Sequence, residues 1–539
     1  MPPPDTPLAL IPHPRSVTPT GGSIDLDRTT TVHLEPGPHD LAAWAAPLLD
    51  LLRRGMGLPL PIVDASSAAE LAPAQVAITL GHLAGHGPEA YTLDIDERRV
   101  TLRAGDREGL VWGLQTLRQL LPADMERPLP PVADDPGRPD GRLGPEFGGA
   151  ASAASASGAS IARDRWPLPC VRIADRPRFG WRGLLLDSCR HFQDLAGIER
   201  VIELMSLHKL NRLHWHLTED QGWRLEIRSR PRLTEVGAWR MDRDGVRYGG
   251  YYTQDEARHV VAFAAARGIT VVPEIELPGH CRAALASYPE LGCRGRPLPV
   301  ATEWGVFEDI YCAGNPAVCT FLEEVLAEVL AIFPSRFIHL GGDECPPDRW
   351  LACPRCRARM EAAGLQGTDA LHGWFVQRVA RWLADQGRRA IGWDEVLAGG
   401  LAPGAVVQSW RGFEGAQEAV RRGHDAIVSP ISHMYLDQDP AKVDLARVLA
   451  FDPAGGDGGG GRDGGEGRVL GGELCLWTER IPQAAIDPRT WPRACAGSEV
   501  LWSERSADGL GGRDLAEFAR RLDRHARRLR ALGVKAQER

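Results

Sequence analysis

Residues 337–346 read FIHLGGDECP, an apolar run that ends in two glycines and is followed by two adjacent acids, Asp343 and Glu344. Short apolar runs of this kind are typical of buried strands. After residue 177 the pattern occurs eight times, mostly with helical stretches between the runs, at 183–189, 211–217, 269–277, 337–344, 390–396, 405–410, 425–430 and 469–479. Eight buried strands that alternate with helices predict an α/β protein with a (β/α)8 barrel, or TIM barrel.

An open, doubly wound sheet is the alternative fold. It would need a phosphate-binding glycine fingerprint after its first strand, and residues 183–189 are not followed by one. The glycine-rich stretch at 454–468 has no GK[ST] sequence and does not begin a helix, so we interpret it as a flexible insertion before the last strand.

Four parts are predicted along the chain. Residues 1–122 form a small α+β domain, because 91–96 and 99–104 alternate apolar and polar residues as a hairpin does, and Asp106 precedes an amphipathic helix. The other parts are a Pro/Gly/Ala/Ser-rich linker and lead-in at 123–176, the barrel at 177–510 and a C-terminal helix at 511–539 that packs on the barrel.

Composition and charge argue against several classes of protein. The 539 residues carry a formal net charge of −8 and no Lys/Arg-rich run, which argues against a nucleic-acid partner. The apolar runs are strand-sized, so we expect no membrane-spanning helix. The first residues lack a basic segment followed by an apolar one, which predicts a cytoplasmic protein. The sequence gives no sign of a cofactor or of an oligomeric state.

The eleven cysteines, an odd number scattered over a long chain, argue against a disulfide scaffold. Cys353 and Cys356 form a CxxC pair, but a zinc knuckle needs a second pair, and only Cys345 is near in sequence. A local structural pair or two free thiols is therefore favoured over a metal site. Cys293 and Cys312 bracket one loop and could pair in an oxidising compartment.

Polar and aromatic residues are expected at the carboxyl ends of the strands, where such a barrel has its active site. Aromatic faces suit the C–H surface of a sugar ring, and carboxylates and arginine suit its hydroxyls. No Lys/Arg cluster indicates a phosphate, so the residue types favour a neutral carbohydrate. The residues expected there are Arg182, Asp187, Arg190, His214, His216, Glu219, Asp220, Glu274, Glu276, His280, His339, Asp343, Glu344, Trp393, Asp394, Glu395, Trp410, Tyr435, Asp437, Trp477 and Glu479.

The adjacent acids Asp343 and Glu344 raise a question of mechanism. Glycoside hydrolysis usually needs two carboxylates on either side of the bond, but successive residues of a strand point to opposite faces. One acid can protonate the leaving oxygen while the other holds a group of the substrate, such as a 2-acetamido group, that itself attacks. Alternatively, one acid only orients its neighbour or a backbone amide.

Several motifs occur together and in one order: WRGLLLDSCRHF (181–192), HWHLTEDQGWRLEI (214–227), VVPEIELPGH (271–280), HLGGDE (339–344), GW (392–393), YLD (435–437) and LWTE (476–479). Over roughly residues 177–510 the chain resembles glycoside hydrolase family 20, the β-N-acetylhexosaminidases. The N-terminal unit resembles the small domain that precedes the barrel in that family. The resemblance implies an exo-acting enzyme that releases terminal N-acetylhexosamine.

The resemblance also implies a role for each matching residue. Glu344 would be the general acid/base, and Asp343 would hold the acetamido nitrogen and stabilise an oxazolinium intermediate. Asp220 and His280 would form a relay towards Glu344. The implied substrate-binding residues are Arg182 for hydroxyls at C3 and C4, Tyr435 for the acetamido oxygen, Asp437 and Glu479 for hydroxyls near C4 and C6, and Trp393, Trp410 and Trp477 for the pocket walls.

The chemistry of a general acid adds an expectation about charge. Burial beside Asp343 and among tryptophans should raise the pKa of Glu344 towards the working pH. The chain departs from the family pattern at Glu276, which replaces an aspartate, and at Glu219, the first acid of EDQGW. Some members have a further tryptophan on the leaving-group side of the pocket, and it has no counterpart in 438–468. Trp304 could contribute to that side instead.

Two other functions fit parts of the sequence. A non-catalytic carbohydrate-binding barrel would want the acid missing, and Glu344 is present. A metal-dependent hydrolase could use His214, His216 and His339 with neighbouring carboxylates. The histidines at 214 and 216 lie inside a predicted strand, which disfavours that reading.

Overall fold

The computed structural model describes residues 8–37, 39–63, 76–140, 142, 163–455, 467–504 and 514–537. Residues 141 and 143–162 of the predicted linker and residues 456–466 of the predicted glycine-rich insertion lie outside the described residues. Within the described ranges, no helix combines the length and the apolar composition needed to cross a bilayer.

The N-terminal domain is built on one seven-stranded sheet with the order β1-β7-β5-β6-β4-β2-β3. The predicted hairpin is present as β5 and β6, and the Asp106 side chain accepts a hydrogen bond from the Gly109 N–H at the start of the second helix. The strands are β1 Ser16–Asp27, β2 Thr31–Leu34, β3 Ile62–Val63, β4 Ala77–His82, β5 Tyr91–Ile95, β6 Arg99–Ala104 and β7 Arg165–Asp175, and the helices are α1 Leu41–Met56 and α2 Arg107–Leu120.

The strand β7 corrects the predicted organisation. We placed residues 123–176 in a linker and lead-in, but β7 lies between β1 and β5, one strand in from the sheet edge, and pairs antiparallel with both. Its apolar side chains Leu168, Val171 and Ile173 belong to the core of the N-terminal domain. That domain therefore reaches residue 175, immediately before the barrel begins.

The barrel prediction is confirmed: eight parallel strands close on one another. Each predicted run overlaps one strand, although β8 and β16 begin one or two residues before their runs and the polar ends of several runs lie beyond the hydrogen-bonded part. The barrel strands are β8 Trp181–Asp187, β9 Arg212–His216, β14 Thr270–Leu277, β15 Phe337–Gly341, β16 Arg389–Trp393, β17 Val406–Ser409, β18 Asp425–Val428 and β19 Val469–Leu476. Two short hairpins lie in loops: β10 Thr218–Glu219 with β11 Gly222–Trp223, and β12 Trp239–Met241 with β13 Arg247–Gly249.

Helices surround the barrel, and the longest of them follow predicted amphipathic stretches. They are α3 Leu195–Leu207, α4 Arg232–Glu235, α5 Gln254–Ala265, α6 Arg282–Ser287, α7 Pro316–Ile332, α8 Asp348–Ala352, α9 Pro354–Ala362, α10 Thr368–Asp385, α11 Glu414–Arg421, α12 Ile431–Met434, α13 Leu445–Ala450, α14 Ile486–Thr490, α15 Arg493–Trp502 and α16 Leu515–Ala531. Thr253 caps α5 with a capping box completed by Glu256, which satisfies backbone donors of the first turn.

Buried ion pairs join the N-terminal domain to the barrel. Lys209, just after α3, lies 3.0 Å from Asp175 of β7. The guanidinium of Arg118 in α2 lies 2.9 Å from the Glu203 carboxylate in α3. The remaining pairs are Arg182 with Glu89 and Arg528 with Glu126. Since the arginines, the lysine and most of their partners are buried, these contacts fix the N-terminal domain against the bottom of the barrel and α16.

Candidate active site

The adjacent acids lie where β15 ends. Gly341, Gly342 and Glu344 have φ values of 64°, 92° and 42°, in the left-handed region that a strand does not use. The alternation of strand faces therefore stops at Gly341. His280 Nε2 lies 3.6 Å from an Asp343 oxygen and 3.5 Å from a Glu344 oxygen, so both acids reach one imidazole.

Gly341 leaves space for a buried carboxyl group. A Cβ at this position would collide with the carboxylate of Glu276, the residue that departs from the family pattern. Glu276 Oε2 is buried and has no hydrogen-bond partner among the described residues. Burial and the nearby Asp343 charge raise the pKa of Glu276 well above its usual value. Burial beside Asp343 therefore favours the neutral form of Glu276 more than in an ordinary glutamate.

His280 connects the acid pair to two further carboxylates. Its Nδ1 lies 2.9 Å from Glu219 Oε1 and 3.4 Å from Asp220 Oδ2. Asp220 Oδ1 accepts a hydrogen bond from the Arg282 backbone N–H at 2.9 Å. The sequence prediction named Asp220 alone for this relay, and Glu219 makes the shorter contact. Burial opposes the charged imidazole, but Glu219 and Asp343 raise the pKa of His280 well above its usual value.

Four aromatic side chains lie together at the carboxyl ends of the strands. Ring centroids are 5.9 Å apart for Trp393 and Trp477, 6.3 Å for Tyr435 and Trp477, and 6.4 Å for Trp410 and Tyr435. Trp393 donates its indole N–H to Glu274 at 2.9 Å. The Tyr435 segment is held in place because the Leu436 N–H donates to the Cys475 carbonyl of β19 at 2.7 Å. The predicted aromatic residues therefore form one wall.

Three other carboxyl groups lie around this wall with raised pKa values. Burial and the neighbouring Glu479 raise the pKa of Asp437 to about 7, and burial raises that of Glu479. Burial and Asp343 raise the pKa of Glu395 to about 8, while Trp410 donates to it at 3.1 Å. Glu395 was among the strand-end residues but was given no role. Its position two residues after the end of β16, which ends at Trp393, was the available signal.

The prediction for Arg182 is wrong. Arg182 is the second residue of β8, so it lies at the amino end of the barrel, opposite the acids. Its buried guanidinium pairs with Glu89 of the N-terminal domain and donates to the Lys209 and Phe179 carbonyls at 2.8 Å. Parallel strands all begin at the same end, so a residue at the start of β8 cannot reach the pocket.

Arg190 of the same motif lies at the carboxyl end of the barrel, where Arg182 was expected. It follows the carboxyl end of β8 and lies 2.9 Å from Glu219 and 3.2 Å from Asp187. Its guanidinium carbon is 5.2 Å from the centre of the Trp477 ring. Its Nε is buried and has no partner among the described residues. We expect this unused donor to meet a substrate hydroxyl.

Separate substitutions will distinguish the two arginines. Arg190→Gln should raise KM and lower kcat/KM by about 10–100-fold, because a charged hydrogen bond contributes about 1.5–3 kcal/mol. Arg182→Gln should leave KM unchanged and cost about 3–5 kcal/mol of stability, because it removes the counter-ion of the largely buried Glu89 carboxylate. Steady-state kinetics and denaturant unfolding measure the two effects. A raised KM for Arg182→Gln with unchanged stability would contradict this assignment.

The charge states of the acid pair differ from the expectation. The hydrogen bond with His280 lowers the pKa of Glu344, whose side chain is 41% exposed. Burial instead raises the pKa of Asp343 to about 6, although His280 opposes this. The prediction of a raised pKa for Glu344 is therefore wrong for the free protein, because the side chain lies at the open edge of the pocket and not beneath it.

The three histidines of the metal-dependent alternative lie in the barrel core. His214 is 2.7 Å from Glu473, His339 is 2.7 Å from Glu274, and His216 also pairs with Glu274. The imidazoles are fully buried beneath Trp393. Burial opposes their charge, yet the carboxylates raise the pKa of His214 to about 9 and of His216 to about 10. This network of buried histidines and carboxylates lies in the barrel core and supports the floor of the pocket.

Trp304, suggested for the leaving-group side, lies at the rim. Its ring centroid is 5.9 Å from that of His191 and 5.3 Å from the guanidinium carbon of Arg240. This is the side of the pocket that also carries Arg190 and Trp477. Its contact with a leaving group stays a prediction.

A closed barrel of this kind, with acids and aromatic rings around one opening, places the protein in the class of (β/α)8 glycoside hydrolases. The family model described as glycosyl hydrolase family 20, catalytic domain, matches residues 179–505, and the one described as glycosyl hydrolase family 20, domain 2, matches residues 8–175. The chain belongs to glycosyl hydrolase family 20.

Named relatives and solved structures agree with this membership. A β-hexosaminidase of Porphyromonas gingivalis is 37% identical over 98% of this chain, which spans 64% of that relative's length. An exo-β-N-acetylglucosaminidase of Vibrio harveyi, solved with N-acetylglucosamine, superposes with a TM-score of 0.80 at 30% identity, covering 98% of this chain and 78% of that one. A β-N-acetylhexosaminidase of Streptomyces coelicolor A3(2) gives a TM-score of 0.79 at 30% identity, covering 99% and 98%.

Proposed function

We propose that this chain is an exo-acting β-N-acetylhexosaminidase that removes terminal, non-reducing N-acetyl-β-D-hexosamine with retention of configuration. One observation carries the proposal. Asp343 Oδ1 is buried without a hydrogen-bond partner among the described residues, on a carboxylate that lies 3.6 Å from His280. A buried carboxylate oxygen in that state needs a donor, and the N–H of a 2-acetamido group supplies one.

The positions of the two acids beside one imidazole support the following proposed reaction. Asp343 accepts the acetamido N–H, and Tyr435 donates its hydroxyl to the acetamido oxygen, which attacks the anomeric carbon to form an oxazolinium ion. Glu344 protonates the leaving oxygen and then takes a proton from the water that opens the ring. Two inversions give net retention.

The proton on Glu344 comes from its neighbours. In the free protein the positive His280 keeps Glu344 ionised, with 3.5 Å between the nearest atoms. A bound sugar with its leaving group covers the exposed side of Glu344, and loss of solvent raises the pKa of a carboxyl group. Transfer of the His280 Nε2 proton then leaves a neutral acid against the leaving oxygen, while Glu219 and Asp220 retain their contacts with Nδ1.

The remaining polar groups suit the rest of the ring. Asp437 and Glu479 are buried acceptors with raised pKa values, and Asp437 Oδ1 has no partner among the described residues. We assign them to hydroxyls near C4 and C6, and Arg190 to those at C3 and C4. The Vibrio harveyi structure, solved with N-acetylglucosamine, supports a sugar of this size in the pocket.

The decisive experiment compares aryl β-glycosides that differ only at C2 and C4. We expect the N-acetylglucosaminide to be cleaved at least about 10³-fold faster than the glucoside, because only the former carries its own nucleophile. A thiazoline mimic of the oxazoline should inhibit competitively. Equal kcat/KM on the two sugars would overturn the acetamido mechanism. The galacto-configured pair, measured in parallel, reports how strictly the pocket reads C4.

A further inference from the structure

Four cysteines from two loops face one another beside the candidate active site. Cys293 and Cys312 lie in the segment between α6 and α7, while Cys353 and Cys356 lie at the start of α9. Sγ atoms are 3.7 Å apart for Cys293 and Cys356, 3.8 Å for Cys312 and Cys353, and 3.6 Å for Cys312 and Cys356. All four Sγ atoms lie within 4.8 Å of one another.

The separations match a tetrahedral metal site. Four sulfur atoms bound to zinc at about 2.3 Å lie about 3.8 Å from one another, whereas a disulfide brings two sulfur atoms to about 2.05 Å. We propose that Cys293, Cys312, Cys353 and Cys356 bind one zinc ion through four thiolates. From the sequence we favoured a local pair or free thiols, because no second pair was near; the fold brings Cys293 and Cys312 to that place.

The surroundings are those of a closed site. Cys312, Cys353 and Cys356 are buried, and Cys293 is partly buried. Arg355 lies between the two cysteines of the CxxC pair, and its guanidinium donates to the Gly292 carbonyl at 3.0 Å. This positive charge offsets part of the double negative charge of a zinc ion with four thiolates. With four protein ligands no coordination position remains for water, as in structural zinc sites.

Gly314 allows the two loops to approach. A Cβ at this position would collide with the backbone of Arg355, so a side chain would separate the Cys312 turn from the CxxC turn. The close backbone contact is independent of the sulfur positions. It shows that the Cys312 turn and the CxxC turn are in direct backbone contact. Two surface loops with no link between them would not need to approach this closely.

The zinc would fasten the loop that carries the acid pair to the loop that follows His280. Cys353 comes nine positions after Glu344 in the sequence. Between them, Trp350 of α8 donates its indole N–H to the Tyr311 carbonyl at 2.8 Å, and the Tyr311 N–H donates to Pro278 at 3.0 Å. We assign the metal a positioning role, because it has no open ligand position and zinc has no redox chemistry.

Metal analysis of the full-length protein tests the proposal without any variant. Protein produced in zinc-supplemented medium and purified without chelator should hold about one zinc per chain, and X-ray absorption should show only sulfur neighbours, at about 2.3 Å. Cobalt exchanged into the site should give the visible absorption of a tetrahedral thiolate complex. Zinc ligated by nitrogen or oxygen, iron in place of zinc, or no metal after zinc is added to reduced protein would overturn it.

Paired variants locate the site. Cys353→Ser with Cys356→Ser should lose the zinc and lower the Tm by about 5 °C or more, since metal binding adds to folding free energy. Cys319→Ser, a partly buried cysteine on α7 outside the cluster, should keep both the zinc and the Tm. An intact mass four hydrogens lighter than the reduced chain, with no zinc, would show two disulfides and contradict the proposal. None of these measurements depends on the proposed hydrolase activity.

Discussion

Glu344→Gln will lower kcat on an N-acetyl-β-glucosaminide with a sugar or alkyl leaving group by about 10²–10⁴-fold, the usual contribution of a general acid. Glutamine keeps the size of the side chain and its contact with His280 but cannot deliver a proton. The loss should shrink with aryl leaving groups of low pKa, because these depart without protonation. Rates measured across a series of leaving groups give this dependence.

A matched control for this variant is Glu303→Gln, an exposed glutamate in the loop before Trp304. It changes the net charge equally and should keep wild-type rates. If Glu344→Gln retains wild-type activity on alkyl glycosides while Glu395→Gln loses it, the acid has been assigned to the wrong carboxyl group. This comparison tests Glu395 as the alternative general acid, since burial and Asp343 raise its pKa to about 8.

Asp343→Asn will lower kcat by about 10²–10³-fold, as loss of one preorganised electrostatic contact at a developing charge typically does. The asparagine cannot balance the positive charge that forms on the acetamido nitrogen in the oxazolinium ion. The wild-type kcat/KM should fall as the pH decreases through about 6, because Asp343 takes up a proton there. The variant should lack this acidic limb, and a limb that persists unchanged would assign the titration to another group.

The same substitution should increase stability at neutral pH. Burial raises the pKa of Asp343 from 3.8 to about 6, so the native state binds this proton more tightly than the unfolded chain does. The tighter proton binding in the native state contributes fully to the free energy of unfolding below pH 3.8. This contribution is lost as the pH rises through about 6. Asparagine does not ionise. The variant should therefore be about 1–3 kcal/mol more stable than the wild type at pH 7, and the titration of Asp343 should make no difference near pH 3. Urea unfolding at the two pH values measures the difference.

The barrel could be predicted from the sequence because each strand is marked by its own short apolar run. Apolar runs such as 269–277 and 337–344 are buried on both sides, and helices with clear amphipathic spacing separate most of them. The strand β7 was missed for the opposite reason. Its partners β1 and β5 precede a long Gly/Ala/Ser-rich stretch, and nothing in residues 165–175 identifies a pairing with strands so far back in the chain.

Residues that a motif places after the carboxyl end of a strand were predicted at the correct end of the barrel. The prediction failed for Arg182, which lies at the start of its strand. Tyr435, Trp477 and Asp343 follow their strands and lie in the pocket. Arg182 and Arg190 occur in one motif, WRGLLLDSCRHF, and β8 runs between them, so they lie at opposite ends of the barrel. A strand of seven residues spans the barrel wall, and this length separates the two candidates.

Properties that depend on solvent and on distant residues could not be predicted. The lowered pKa of Glu344 follows from its exposed position beside His280, which no spacing reveals. The cysteine cluster joins residues up to 63 positions apart, Cys293 and Cys356. From CxxC alone we favoured a local pair or free thiols, because the second pair has no CxxC spacing of its own.

Removal of the N-terminal domain would take the acidic partners away from three buried cations. Lys209, Arg182 and Arg528 each pair with a carboxylate in the first 175 residues, and breaking a buried pair costs about 3–5 kcal/mol. Glu203 would lose Arg118 but keep Arg267. The three losses together are comparable with the whole stability of a typical native protein. Domain exchange in this chain must therefore move the N-terminal domain and the barrel together. Circular permutants should be opened at positions away from these buried ion pairs.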